Sequence, residues 1–168
     1  PFFIQEIATG GGKSWGTIKC INESKSRKKW LILVPEIAQI ENFKKEFYKS
    51  GYGKLLESKV EDIICYASFK NYKEKSLNIV LNEVQHLSDE RFNILKSIKY
   101  DSILADSATI PNDIREKLNK LEDNWYIYHI PIKEAVSLGL VPKPSVYTIS
   151  LEINNSNEKY EWKDFKKL

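Results

Sequence analysis

The fold is decided by the stretch Ala8-Thr9-Gly10-Gly11-Gly12-Lys13-Ser14, which stands between an apolar run and an amphipathic one. Because glycine carries no Cβ, three glycines in succession let the backbone turn tightly and aim several N–H groups at one anion. A helix that begins near Lys13 adds its positive end at the same point. In such loops the lysine reaches the β- and γ-phosphates of a nucleotide, and the serine hydroxyl ligates magnesium. We therefore predict a nucleotide phosphate site made of Thr9, Gly10, Gly11, Gly12, Lys13 and Ser14.

On both sides of this loop, short apolar runs alternate with amphipathic stretches, as in a parallel sheet covered by helices. The predicted strands are Phe2–Ala8, Trp30–Val34, Asp62–Tyr66, Leu77–Leu81, Ser102–Ala105 and Trp125–Ile130. The predicted helices are Lys13–Ile21, Ile37–Tyr48, Asp89–Ile98, Asn112–Leu121 and Lys133–Leu138. Some of the strands are apolar throughout, which is typical of central strands buried on both faces. The pattern predicts an α/β fold of three layers, with helices on both faces of a parallel sheet. A further strand at Ser145–Ile153 and a helix from Asn155 are predicted beyond Gly139.

Composition narrows the class of protein. The 168 residues suit one domain, and the net charge of +3 permits a nucleic-acid partner without requiring one. Cys20 and Cys65 have no metal-ligand spacing, and no apolar run reaches the length of a membrane span, so we expect a cytoplasmic or nucleoid-associated protein. The chain opens on Phe2-Phe3-Ile4 without a methionine, and we expect it to be a piece of a longer protein.

Polar residues follow the predicted strands, where open parallel sheets bind their ligands. Besides the glycine loop, these residues are Pro35, Ser68, Asn82-Glu83 and Ser107-Ala108-Thr109. The basic run Lys25–Lys29 precedes a strand instead, so we expect it at the opposite edge of the sheet, as a solvated loop.

Asn82 and Glu83 stand where a nucleotide hydrolase carries its carboxylates. One acidic group usually holds the magnesium shell and the next orients or deprotonates the attacking water. Glu83 fits the second role. Asn82 is unexpected in the first, because an amide brings no charge to a divalent cation. The alternative is that both are ordinary loop residues.

In order and spacing, four segments resemble motifs I, Ia, II and III of superfamily 2 helicases: Ala8–Ser14, Leu33–Pro35, Asn82–His86 and Ser107–Thr109. The segment Cys65–Ser68 looks like the part that follows the third strand in those proteins. The section Pro131–Ile153 is similar to the exit from the first motor domain in one branch, which holds type III restriction subunits, XPB-like helicases and phage helicases.

This resemblance implies a first, RecA-like motor domain in residues 1–140, with an exit strand and linker in residues 141–168. It implies that the glycine loop binds ATP and Mg²⁺, with Ser14, Glu83 and a weakened Asn82 near the metal. Glu83 would be the water-activating base and Gln85 a γ-phosphate sensor. The remaining implied roles are coupling of nucleotide state to movement at Ser107 and Thr109, and contact with a nucleic acid, DNA rather than RNA, at Pro35 and Ser68.

Ile7 stands where the general phosphate-loop motif has its first glycine. Two positions depart from the helicase family pattern: Asn82 replaces an aspartate and Gln85 a histidine. We expect the second motor domain, with its arginine fingers, elsewhere in a longer protein, and weak turnover by this chain alone. The alternative function is a hydrolysis-deficient, nucleotide-dependent nucleic-acid-binding module in which Asn82 marks lost turnover. Restoring Asn82→Asp is expected to separate the two. A metabolic P-loop kinase would leave Ser107–Thr109 unexplained.

Overall fold

A computed structural model of the chain describes residues 1–72, 77–143 and 145. These residues form a six-stranded, all-parallel sheet with strand order β3-β2-β4-β5-β1-β6. The strands are β1 Phe2–Ile7, β2 Trp30–Val34, β3 Val60–Cys65, β4 Leu77–Asn82, β5 Tyr100–Ser107 and β6 Tyr126–Ile130. The predicted α/β fold is confirmed.

Helices cover both faces of the sheet. They are α1 Lys13–Glu23, α2 Ile37–Lys49, α3 Gly53–Lys59, α4 Asp89–Ser97, α5 Asn112–Asn119 and α6 Ile132–Ser137, with 3-10 helices at Tyr66–Asn71 and Val84–His86. Alternate residues of β2 point to opposite sides: Ile32 packs with α1, α2 and α3, whereas Leu31 and Leu33 pack with α4 and α5. This two-sided burial explains why the strand is apolar at every position.

Helix α3 and both 3-10 helices were not predicted. Helix α3 begins at Gly53, directly after Gly51-Tyr52, and a glycine pair of this kind indicates a loop in sequence. The 3-10 helix Tyr66–Asn71 replaces the end of the predicted third strand, which instead runs from Val60 to Cys65. The strand predicted at Ser145–Ile153 and the helix from Asn155 lie outside the described residues.

The basic run lies at the amino-terminal edge of the sheet, as expected. Lys28 pairs with Asp101 and the Lys29 Nζ atom lies 3.6 Å from Glu61 Oε2, both at the starts of strands. The glycine loop, by contrast, follows the carboxyl end of β1. In the described part of the chain, no helix is long and apolar enough to cross a membrane.

Candidate functional site

The glycine loop has the backbone that its sequence predicts. Gly10 and Gly12 have φ of +82° and +90°, in the left-handed region that favours glycine. Gly11 has ordinary torsions but no room, since a Cβ there would lie 2.6 Å from Ile7 Cγ2 and 2.9 Å from the Ala8 carbonyl oxygen. Each of the three glycines is therefore required, for one of two different reasons.

Lys13 and Glu83 meet across a cleft of about 520 Å³. The Nζ atom of Lys13 lies 3.4 Å from Glu83 Oε1 and donates to the Ile7 carbonyl oxygen at 3.4 Å. The loop and Ser14 form one wall of the cleft, and Asn82 lies beside Glu83. The opposite wall is α2, which contributes Gln39, Asn42 and Glu46. Thr9 and Gly11 do not line the cleft, so of the predicted loop residues Gly10, Gly12, Lys13 and Ser14 reach it.

These residues fit a magnesium–nucleotide complex. The left-handed glycines leave a cradle of backbone without side chains, Lys13 brings a positive charge, and Glu83 and the Ser14 hydroxyl bring oxygen atoms of the kind that magnesium prefers. The Oε1 atom of Gln39 is buried in this wall and has no hydrogen-bond partner among the described residues. A buried polar atom without a partner is costly.

Asp106 is the site residue that the sequence did not reveal. It is fully buried, and it lies beside Asn82 in the register of β4 and β5. Its Oδ1 atom accepts hydrogen bonds from Asn82 Nδ2 at 2.8 Å and from the Glu83 backbone N–H at 3.1 Å. Its Oδ2 atom accepts one from the Thr17 hydroxyl of α1 at 3.1 Å. Burial raises the pKa of Asp106 to about 6, although the hydrogen bonds from Glu83 and Thr17 oppose that rise.

Glu83, Gln85 and Ser107 form one hydrogen-bonded chain. Gln85 Nε2 donates to Glu83 Oε2 at 3.0 Å, and the Ser107 hydroxyl donates to Gln85 Oε1. The Thr109 backbone N–H donates to the Ser107 hydroxyl oxygen at 3.2 Å, so that Thr109 takes part through its main chain. The Glu83 backbone has φ of +51°, a conformation that costs a non-glycine residue about 1–2 kcal/mol. The structure thus brings the segments Asn82–His86 and Ser107–Thr109 together.

Comparison with known proteins identifies the family of the chain. The family model of the type III restriction enzyme res subunit matches residues 2–126. The chain belongs to this family. No curated protein sequence is significantly similar to it.

Solved structures resemble the chain in fold. The Hef helicase domain of Pyrococcus furiosus matches with a TM-score of 0.56 at 14% identity, covering 75% of this chain and 34% of that one. A structure of the E. coli DEAD-box protein SrmB bound to the regulator of ribonuclease activity A matches with a TM-score of 0.46 at 8% identity, covering 88% of this chain and 96% of that chain.

Family and fold agree, because the chain shares with the Hef helicase domain the fold built on its six-stranded parallel sheet. The chain spans about a third of the Hef chain that it matches. Of the two functions left open by the sequence, these comparisons favour the motor domain over the hydrolysis-deficient module.

A second residue that the sequence did not reveal is Glu6, which connects several elements at the edge of the site. Its buried carboxylate accepts from the Ile110 N–H at 2.9 Å, pairs with Arg115, and lies 3.0 Å from His129 Nδ1. Burial raises the pKa of Glu6, but the Ile110 N–H and the Arg115 guanidinium outweigh this effect and hold the pKa below its ordinary value of 4.5. Glu6 therefore joins β1, the segment after Ser107, α5 and β6.

Pro35 and Ser68 lie apart from the nucleotide cleft. They follow β2 and β3, which are neighbours in the sheet, and Ser68 is exposed on the 3-10 helix Tyr66–Asn71. In the same 3-10 helix the buried Tyr66 donates its hydroxyl proton to the Asn82 carbonyl oxygen at 3.1 Å. This hydrogen bond connects the Ser68 surface to the end of β4, beside the cleft.

Val141 packs on the glycine loop from the other side. Its Cγ1 atom lies 3.3 Å from the place that a Cβ on Gly10 would occupy. With Ile7, Ile130 and Ala135 it belongs to a small apolar cluster after α6. Val141 is thus in direct contact with the loop.

Proposed function

We propose that this chain binds ATP with Mg²⁺ in the cleft between the glycine loop and Glu83. The single observation that carries the proposal is the pairing of Lys13 with Glu83 at 3.4 Å across a cleft walled by left-handed glycines. A positive group and a carboxylate facing each other in one cleft suit a ligand that is both anionic and metal-bound.

In this proposal the residues divide the work of hydrolysis. The backbone of Gly10 and Gly12 and the Lys13 ammonium hold the phosphates, and Ser14, Asn82 and Glu83 lie toward the metal. Bound magnesium supplies charge neutralisation on the phosphate oxygens. Glu83 orients and deprotonates the attacking water, which requires it to leave Lys13 for the water.

Gln85 is proposed to sense the γ-phosphate. It already bridges Glu83 and Ser107, so a change in the position of Glu83 reaches the Ser107–Thr109 segment through two hydrogen bonds. That segment would couple the nucleotide state to movement.

The parent protein is proposed to act on DNA, in the cytoplasm or at the nucleoid, with a second RecA-like domain. That domain would complete the ATPase site with arginine side chains. Pro35 and the exposed Ser68 lie at the ends of adjacent strands and would face the phosphate backbone of one DNA strand. The preference for DNA over RNA rests on the resemblance to the restriction and phage helicase branch.

Isothermal titration of the chain with ATP in the presence of MgCl₂ tests the nucleotide site. We expect binding by the wild-type chain and a loss of at least about tenfold in affinity on Lys13→Ala, since hydrogen bonds to charged groups are worth about 1.5–3 kcal/mol. Lys99→Ala, at an exposed lysine just before β5, serves as the matched control and should bind like the wild type. Absence of binding by the wild-type chain, or equal binding by Lys13→Ala, would contradict the proposal.

Fluorescence anisotropy with labelled single-stranded oligonucleotides tests the DNA surface. Ser68→Glu adds a negative charge at an exposed position and should weaken the binding of DNA several-fold. Glu57→Gln, at an exposed residue of α3, controls for nonspecific change. Tighter binding of RNA than of DNA by the wild type would refute the assigned substrate.

A further inference from the structure

A row of buried polar side chains lies beneath the start of α1. In the register of the sheet, Gln5 of β1, Asp106 of β5 and Asn82 of β4 are neighbours. All three are buried, and two of them hold α1: Gln5 Nε2 donates to the Lys13 carbonyl oxygen at 3.0 Å, and Asp106 accepts from the Thr17 hydroxyl. Such a row crosses the sheet directly behind the glycine loop.

Asp106 is the only carboxylate of this row, and its charge has no cationic partner. No ion pair of the described residues includes Asp106, although hydrogen bonds from Thr17, Asn82 and Glu83 reach it. A buried carboxylate that carries a negative charge is stable only when a cation or several donors face it. Asn82, its neighbour on β4, lines the cleft.

The bond to Asp106 also fixes how Asn82 is oriented. A carboxylate only accepts, so the amide nitrogen of Asn82 must face Asp106, and that nitrogen is 2.8 Å from Oδ1. The amide oxygen is then left as the polar atom of Asn82 that can serve a ligand in the cleft. An amide oxygen polarised by a carboxylate behind it is a better metal ligand than a free amide.

We propose that Asp106 supplies, from the neighbouring strand, the negative charge that position 82 lacks. Together Asn82 and Asp106 carry one negative charge. Asp106 is a positioning residue for the metal side of the site, and it acts through the Asn82 amide and the Glu83 backbone. The left-handed backbone of Glu83 supports this role, because the Glu83 N–H is held by the same Oδ1 atom. This inference rests on the proposed ATP–magnesium function and assigns to it a residue outside the helicase-like segments.

Under this proposal, Asn82 is one half of a charged pair and not a degenerate position. If position 82 were merely degenerate, Asn82→Asp would restore a missing charge and strengthen magnesium-dependent binding. If the pair already holds its charge, Asn82→Asp places a second carboxylate 2.8 Å from Asp106 and gains nothing. The charge exchange Asn82→Asp with Asp106→Asn keeps one carboxylate in the pair and only moves it one strand across the sheet.

The experiment compares four proteins, all in the full 168-residue chain: the wild type, Asp106→Asn, Asn82→Asp and the double exchange. For each, ATP affinity is measured by titration in EDTA and in MgCl₂, and the ratio of the two affinities is the magnesium-dependent gain. Thermal unfolding is recorded for each. Asp101→Asn, on the same strand but exposed at the opposite edge, is the matched control.

We expect Asp106→Asn to lower the magnesium-dependent gain about tenfold, the usual scale of coupling between contacting polar groups. ATP affinity in EDTA should change little, since the glycine loop remains. The double exchange should return the gain to within about threefold of the wild type. Asn82→Asp alone should not exceed the wild type. A merely structural Asp106 would alter the melting temperature and leave the gain unchanged, which would overturn the proposal.

The other possible outcomes of the experiment also support or overturn the proposal. The inference is overturned if Asn82→Asp alone increases the magnesium-dependent gain tenfold or more. It is also overturned if the gain of the double exchange is no larger than that of Asp106→Asn. If Asp106→Asn does not fold, Asn82→Asp and the double exchange decide by the same criteria. If the wild type binds no ATP in either buffer, the proposed function fails. The shared charge is then judged by melting temperature, where a double exchange more stable than Asp106→Asn supports it and purely additive losses reject it.

Discussion

Glu6→Gln should destabilise the domain by about 2 kcal/mol at neutral pH. The substitution keeps an acceptor for the Ile110 N–H but removes the charge that faces Arg115 and His129. Hydrogen bonds to charged groups contribute about 1.5–3 kcal/mol, and the lower part of this range applies because the Arg115 side chain is 35% exposed. In a domain of this size, about 2 kcal/mol corresponds to a fall of roughly 4–8 °C in melting temperature.

The loss should depend on pH in one direction. The pKa of Glu6 is lower in the folded protein than its ordinary value of 4.5, so the carboxylate stabilises the fold in full above about pH 4.5. As the pH falls through the lower folded value, the wild-type carboxyl becomes neutral and its advantage over the glutamine side chain disappears. The difference in stability between wild type and Glu6→Gln should therefore shrink as the pH falls below about 4.5.

Urea unfolding followed by circular dichroism at a series of pH values measures this difference. Glu57→Gln, at an exposed glutamate of α3, should leave the unfolding free energy within about 0.5 kcal/mol of the wild type at each pH. A Glu6→Gln protein as stable as the wild type at pH 7 would refute the reasoning. So would a loss that stays the same down to the acid unfolding of the wild type.

Two further predictions concern the loop and its coupling. Gly11→Ala should shift the loop and weaken magnesium–ATP binding more than tenfold in titration, because its Cβ would lie 2.6 Å from Ile7 Cγ2. In Gly12→Ala the added Cβ meets nothing within 4 Å, so this substitution should cost only the left-handed backbone strain of about 1–2 kcal/mol. Equal losses in the two proteins would show that crowding is not the cause. Ser107→Ala removes the hydroxyl that donates to Gln85 and should lower nucleic-acid-stimulated ATPase activity of the parent protein several-fold while ATP affinity stays unchanged; a parallel loss of affinity would count against a coupling role.

The fold and the first half of the site could be predicted because their signals are local. Three glycines before Lys13-Ser14, and strands such as Trp30–Val34 that are apolar at every position, need no knowledge of distant contacts. The strand ends and most helix bounds follow within a few residues. Helix α3 was missed because it is only seven residues long and begins at a glycine.

The rest of the site depends on contacts between strands that are distant in sequence. Asp106 is 24 positions from Asn82 and 89 from Thr17, and nothing in the run Ser102–Ser107 shows that it is buried against either. Glu6 likewise reads as one charged residue in an apolar strand, although its partners lie 104 to 123 positions away. The sequence predicts a parallel sheet but does not show which strands lie side by side in it. The role of Asn82 therefore could not be judged before its neighbour Asp106 was known.

The contact between Val141 and Gly10 gives the domain a mechanical property. Tension on the chain beyond Lys143 is borne first by the apolar cluster that holds Val141, and this cluster includes Ile7 at the base of the loop. The cluster also includes Ile130, and Ile7 and Ile130 are the last residues of β1 and β6, so a pull on Val141 reaches the base of the loop and two strand ends together. A force applied after Val141 and a ligand held by the glycine loop would therefore act on neighbouring atoms.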